Sequence, residues 1–166
     1  MFKPNIKIHR ITDINEKLLS DNNIKALILD VDNTLSTHHG SELVEGLEGW
    51  IEEMHKIGIG LIIASNSKEK RVKPFAENIG LDFISLALKP LPFGYIKAIK
   101  SLNIKRIQVA IVGDQMFTDT LGGNICGIKT IMTDLVLAED KLSFKIRRKL
   151  EKKFLKLMKV ENGYGC

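Results

Sequence analysis

Two aspartates stand two residues apart in Asp30-Val31-Asp32-Asn33-Thr34, where the apolar run Ala26 to Leu29 gives way to polar residues. Carboxylates at the mouth of a buried strand are costly unless a cation or a substrate compensates them, so the pair invites a functional explanation. A second apolar run ends in Ser65-Asn66, and a third ends in Gly113-Asp114 with Asp119 five residues on. Taken singly, each aspartate reads equally well as a loop or helix-capping acid. Polar groups at three strand ends at once make that a poor account of the set.

Such strand ends need a frame that gathers them. Ala26 to Leu29, Ile59 to Ala64 and Ile107 to Val112 are apolar without period-two alternation, the pattern of strands buried on both faces, and Lys129 to Thr133 is a weaker fourth. Between the first two, Leu43, Leu47, Trp50, Ile51 and Met54 recur at helical spacing, with Gly58 placed to end the helix. Trp50 is expected in the core rather than against a ligand. Ser67 to Asn78 is a second helical stretch that Pro74 is expected to split or restart, and Pro92 opens a third running to about Leu102. A short helix around Ile14 to Leu19 precedes the first strand. This alternation predicts an α/β fold with a central parallel sheet covered on both faces, and ligands beyond the carboxyl ends of the strands.

In that order, Asp30-Val31-Asp32-Asn33-Thr34, Ser65-Asn66, Lys89-Pro90 and Gly113-Asp114-Gln115 with Asp119 resemble the four motifs of haloacid dehalogenase phosphatases. From about His9 to Lys159 the chain is similar to the YqeG-type family of subfamily IIIA, including Thr118-Asp119, Leu121-Gly122-Gly123-Asn124 and the basic C-terminal stretch. Ser67 departs from the pattern, since the family commonly has a second Asn there. The resemblance implies a three-layer Rossmannoid fold without a substantial cap domain, and a magnesium-dependent phosphatase. It makes Asp30 the nucleophile that forms an aspartyl phosphate, and Asp32 the acid that protonates the leaving oxygen and then activates water. Ser65, aided by Asn66 and by the N–H groups of the following helix, would hold a phosphoryl oxygen, and Lys89 would neutralise the transferring group. The implied metal ligands are Asp30, Asp114 and the backbone carbonyl of Asp32, with Asp119 supporting that shell or Lys89.

Charge arithmetic asks for an ion independently. Two like charges about 4 Å apart cost about 4 kcal/mol at an effective dielectric near 20, and several carboxylates would face a phosphate dianion. Oxygen ligands with no paired His or Cys favour Mg²⁺ over zinc. About 30 residues separate Asp32 from Ser65 and about 23 separate Ser65 from Lys89, room for one crossover in each gap. A site left open in this way suits a phosphate attached to something large. Relatives of this type in plants, cyanobacteria and yeast mitochondria dephosphorylate phosphatidylglycerophosphate, so the resemblance makes that lipid the expected substrate, with another macromolecular or small phosphoester as the alternative.

Composition agrees with a folded body: with 44% apolar and 27% charged residues, 166 residues can bury a core without metal or disulfide staples. Cys126 and Cys166 lie too far apart to suggest a ligand pair or a disulfide framework, and no apolar run approaches the roughly 18 residues of a spanning helix. The expected location is therefore the cytoplasm. The predicted organisation is one phosphatase domain over residues 1–140 and a basic amphipathic helix over 141–160, with Leu142, Ile146, Leu150, Phe154 and Leu157 in its apolar stripe. From Lys141 to Lys159 nine Lys and Arg oppose Glu151 alone, +8 in a chain whose total is +5, so the remainder carries about −3. The stripe suits docking on the domain, and the basic face suits peripheral contact with the inner face of an anionic membrane; nucleic acid is not an expected partner. His38 and His39 read as solvated loop residues.

Four rival readings are weaker. Gly122 to Thr130 is a near miss for a phosphate-binding loop, but Ile128 intrudes and the segment leads into a strand where a helix is required. Cys126 has Met132 where a cysteine phosphatase would place its arginine, so its thiol is read as structural. A receiver-like phosphoacceptor or an idle binding module would not call for an acid two residues beyond the nucleophile.

Overall fold

The computed structural model describes residues 1–36 and 42–134; the expected helix over 141–160 and the loop residues His38 and His39 lie outside them. Six strands form one sheet: β1 (Ile6–Ile8), β2 (Ala26–Leu29), β3 (Gly60–Ala64), β4 (Asp82–Ile84), β5 (Val109–Gly113) and β6 (Lys129–Thr133). They run parallel in the order β1-β6-β5-β2-β3-β4. The helices are α1 (Glu16–Asp21), α2 (Leu47–Lys56), α3 (Glu69–Asn78), α4 (Pro92–Leu102) and α5 (Leu121–Cys126). β2 is central, with Leu27 level with Leu61 of β3 on one side and Ala110 of β5 on the other.

Alternate strand residues enter opposite cores, as the pleat requires. Leu27, Leu29, Ile63 and Val112 pack with Trp50 and Met54 of α2 and Val72 of α3. Ala26, Ile28, Ile62 and Ile111 pack with Tyr95 and Ala98 of α4 and with Cys126. Trp50 is a core residue, as expected, and its Nε1–H donates to the Ile14 carbonyl at 2.8 Å. The three-layer α/β arrangement matches the sequence reading, and among the described residues neither the β2–β3 nor the β3–β4 connection holds more than one crossover helix.

Four details differ from expectation. Pro74 does not split the second helix: α3 runs from Glu69 to Asn78, and burial of Val72 and Ala76 on either side of the proline outweighs its roughly 3 kcal/mol cost. Ile107 belongs to a 3₁₀ turn, Arg106–Gln108, and is exposed, so the third strand starts only at Val109. The edge strands β1 and β4 were not anticipated, because three residues give no readable periodicity. The first helix starts later than expected, at Glu16, where Asn15 accepts the Leu18 N–H at 2.9 Å as its cap.

The order of the strands places the chemistry. From β2 the chain moves outward through β3 to β4, then crosses to β5 on the other side of β2 and continues to β6. The crevice at the carboxyl ends of β2 and β5 is thus the topological switch point, where open α/β sheets bind ligands.

Candidate active site

Asp30 follows β2 and is pinned by its own backbone, whose N–H donates to Val112 O at 2.9 Å. Its carboxylate is buried, with Oδ1 at 2.5 Å from the Lys89 ammonium. The same ammonium lies 2.7 Å from Asp119 Oδ1, so Lys89 bridges two acids from different elements. Burial works to lower the Lys89 pKa, but the charges of Asp119 and then Asp30 outweigh it and hold the ammonium above its ordinary value. Burial dominates at Asp30: although Lys89 pulls its pKa down, desolvation with help from Asp119 and Asp32 raises it from 3.8 to about 7.

Asp119 is delivered by a π-helical turn, Met116–Thr120, between β5 and α5. Its Oδ2 accepts the Gln115 N–H at 3.2 Å, and the Tyr95 hydroxyl donates to Thr118 O at 2.9 Å. Burial and then Asp119 raise the Tyr95 pKa, so the phenol keeps the proton it donates. Gly113 makes the turn possible, because a Cβ there would stand 2.3 Å from Asp119 Oδ2. Two residues after Asp30 a different arrangement begins. Both oxygens of Asp32 accept from the Arg71 guanidinium, Oδ2 from Nη1 at 3.1 Å and Oδ1 from Nη2, and Arg71 Nη1 also donates to Ser67 Oγ at 2.8 Å. This pair is only partly buried, at 39% side-chain exposure for Arg71 and 25% for Asp32.

Ser65 follows β3 and is buried; its Oγ accepts the Ser67 N–H at 3.1 Å, leaving the hydroxyl hydrogen to donate. Asn66 does a task the sequence did not suggest. Its Oδ1 accepts the Lys89 N–H at 2.7 Å and its Nδ2 donates to Lys89 O at 3.0 Å, so the side-chain amide fixes the peptide that carries the lysine. What Asn66 retains for a phosphoryl oxygen is one amide hydrogen and its backbone N–H. Residues 86–91 are stitched further to the Ser65 loop by Leu86 N–H to Ser67 O and Ala87 N–H to Ser65 O, both 2.9 Å.

Asp30, Asp114 and Asp119 each offer an oxygen within 4.8 Å of the others, all three buried. Opposite ligands across an octahedral magnesium lie about 4.2 Å apart, twice the usual bond length, so the spacing suits one hard divalent ion. Two of these three carboxylates, Asp30 and Asp119, share the one Lys89 ammonium. Asp30 Oδ2 is buried with no hydrogen-bond partner among the described residues, and such an oxygen calls for a cation. The donor set therefore fits a divalent ion. The Asp32 carboxylate stands apart from that cluster, held by Arg71. Arg71 is the residue of this region that the sequence reading missed; its signal was an arginine one helical turn from Phe75, on a stripe that also holds Val72.

A protein-family model described as mitochondrial PGP phosphatase matches residues 1–137. The probable phosphatase YqeG of Bacillus subtilis is 35% identical over 158 residues, covering 95% of this chain and 92% of that one. Phosphatidylglycerophosphate phosphatase 1 of Arabidopsis thaliana, a chloroplastic and mitochondrial protein, is 26% identical over 164 residues; these span 92% of this chain but 47% of the plant protein, about half its length. Among solved structures, an uncharacterized protein from Listeria monocytogenes serotype 4b superposes with a TM-score of 0.57 at 20% identity, over 82% of this chain and all of that one, a likeness of fold.

Proposed function

The chain belongs to the mitochondrial PGP phosphatase family, phosphatases of the haloacid dehalogenase superfamily, and on that premise we propose that it hydrolyses phosphatidylglycerophosphate through an aspartyl phosphate on Asp30, with Mg²⁺ as cofactor. The observation that carries the mechanism is Asp30 itself, buried at the switch point with one oxygen on Lys89 and the other without a partner among the described residues. Asp30 attacks phosphorus while Asp32 passes its proton to the ester oxygen, and the bond between phosphorus and that oxygen breaks. Asp32 then takes a proton from water, whose oxygen attacks the aspartyl phosphate, releases inorganic phosphate and restores Asp30. Ser65 donates to a phosphoryl oxygen, and Lys89 offsets the charge that builds on the others. Asp30, Asp114 and the Asp32 carbonyl hold Mg²⁺, which when bound neutralises the carboxylates and the incoming phosphate. Asp119 keeps Lys89 in place.

The lipid assignment draws on the family and on one feature of the surface. Of the eight large apolar side chains exposed among the described residues, five (Leu86, Leu88, Leu91, Phe93 and Ile96) fall in the stretch from 86 to 96 that carries Lys89. Apolar side chains around a catalytic mouth suit a substrate presented by a bilayer. No helix among the described residues is long and apolar enough to cross a membrane. We propose a cytoplasmic location, in peripheral contact with the inner membrane face through this rim and the basic stretch 141–159, with residues 1–140 as the phosphatase domain. The test compares p-nitrophenyl phosphate with phosphatidylglycerophosphate in vesicles, with Mg²⁺ and with EDTA, for the wild type and Asp30→Asn. Turnover that needs Mg²⁺, vanishes in the variant and favours the vesicles by kcat/KM is expected. A higher kcat/KM on soluble esters sinks the lipid assignment, and a stable phosphoprotein without turnover sinks hydrolysis.

A further inference from the structure

We propose that Arg71 belongs to a second anion subsite: it takes an anionic group carried by the leaving alcohol of the substrate, and releases Asp32 as it does so. The proposal rests on the phosphatase reading above and adds to it the residue that would recognise a phosphodiester on the leaving group, and the exchange by which Asp32 is freed.

A cavity of about 360 Å³ opens beside the reaction centre, between α3 and the loops after β2 and β3. Asp32, Ser65 and Arg71 form its polar side, and Val72, Pro74 and Phe75 form an apolar wall. Its position assigns its content. Ser65 and Asp30 fix the transferring phosphoryl group, and Asp32 faces the oxygen that departs, so whatever lies past Asp32 belongs to the leaving alcohol. Among the described residues Arg71 brings the one guanidinium to that cavity, and the stretch around it is basic: Lys68, Lys70, Arg71 and Lys73 against Glu69, with Lys73 3.9 Å from Glu77.

The Asp32–Arg71 pair cannot persist through the reaction. The fork engages both oxygens of Asp32, whereas an acid that serves a leaving oxygen must turn at least one of its own toward it. The contact can exchange because both partners are partly exposed, so that water or a competing anion can reach each of them as the pair opens. A phosphodiester offers the planar fork a matching pair of oxygens at full negative charge. Ser67 Oγ, which accepts from Arg71 Nη1 at 2.8 Å, keeps the guanidinium at the mouth when Asp32 leaves it. A substrate with no second anion has nothing to exchange, and must break the pair without compensation.

The experiment measures kcat and KM for the wild type, Arg71→Met and Arg71→Lys on two soluble esters, p-nitrophenyl phosphate and deacylated glycerophosphoglycerol phosphate, which carries the phosphodiester without a membrane. In parallel, glycerophosphoglycerol, the diester alone, is titrated into each protein by NMR. Relative to p-nitrophenyl phosphate, Arg71→Met is expected to lose roughly 10- to 100-fold in kcat/KM on the diester-bearing ester, mainly through KM, the span of a charge-assisted hydrogen-bonded contact. Binding of the diester should weaken by a similar factor, and Arg71→Lys should recover part of both. Equal losses on the two esters, carried by kcat, would overturn the subsite and leave Arg71 as a positioning residue for Asp32. A wild type that hydrolyses neither ester overturns the phosphatase reading instead, and the titration still decides the subsite: glycerophosphoglycerol bound equally by wild type and Arg71→Met, or by neither, refutes it.

Discussion

Replacing Asp30 by asparagine should stabilise the metal-free protein while abolishing turnover, and the size of the gain follows from burial. The Asp30 carboxyl is raised from 3.8 to about 7, burial outweighing the pull of Lys89. For an acid with a raised folded pKa, the native state holds the proton over the window from 3.8 to about 7. Stability contributed by this group is therefore lost as pH rises through that window and is flat above it. At about 1.36 kcal/mol per pH unit, the raised pKa of Asp30 costs the fold about 4 kcal/mol at pH 8, where the native carboxyl is ionised, and about 2 kcal/mol at pH 5, where it is still protonated but the unfolded one is not. Asparagine keeps the shape of the protonated carboxyl and cannot ionise. In excess EDTA, urea denaturation followed by the fluorescence of Trp50, the single tryptophan, should show the variant more stable by those amounts, and melting higher by roughly 8 to 16 °C at pH 8. Added Mg²⁺ should narrow the gap by stabilising only the ionised site. A variant less stable than wild type at pH 8 in EDTA would refute the reasoning, because the Lys89 ion pair would then outweigh desolvation. So would an advantage that does not grow between pH 5 and pH 8.

The other predictions probe the surroundings of Asp30. Lys89→Met should destabilise the metal-free protein by about 3 to 5 kcal/mol in urea titrations, since it leaves Asp30 and Asp119 buried and facing one another, and Mg²⁺ should recover more stability in this variant than in the wild type. Gly113→Ala should displace Asp119, whose Oδ2 stands 2.3 Å from the new methyl position; kcat on p-nitrophenyl phosphate should fall at least about tenfold, as removal of an oriented charge does, while an unchanged kcat would show that the π-turn is not needed to hold Lys89. Leu91→Ser with Phe93→Ser removes two exposed apolar groups at the start of α4 and should weaken sedimentation with anionic vesicles roughly tenfold without altering turnover of soluble esters.

What the sequence disclosed depended on whether a property is local. The runs at β2, β3 and β5 read as buried strands because each is apolar on both faces, and the acids or serine that follow them stood out against that background. β1 and β4 were silent: Ile6–Ile8 becomes a strand because Asn5 brackets Thr130, its Oδ1 accepting the Thr130 N–H at 2.8 Å, a contact across 125 residues. Pro74 misled because its helical cost is local, whereas the burial of Val72 and Ala76 that overrides it is tertiary. Asn66 was legible as a polar residue after a strand, but not as the clamp on Lys89, since the cross-link joins loops 23 residues apart. The conflict between Arg71 and Asp32, separated by 39 residues, had no trace in the local pattern.

In the proposed mechanism the two acids of the first motif are separated in task by the cation each meets and by the water each can reach. Asp30 is held by Lys89, which is itself buried and shared with Asp119, so neither partner can leave without stranding a charge. A group so fixed and so desolvated suits attack on phosphorus, where a moving nucleophile would lose alignment and a hydrated one would have to shed water. Asp32 has a quarter of its side chain exposed and a partner that is more exposed still. It is therefore within reach of solvent, as the proposed role of acid in one half-reaction and base in the next requires. Exchanging the two environments, with Asp30 at the solvent and Asp32 on the buried lysine, would leave the sequence motif intact and disable both halves of the proposed reaction.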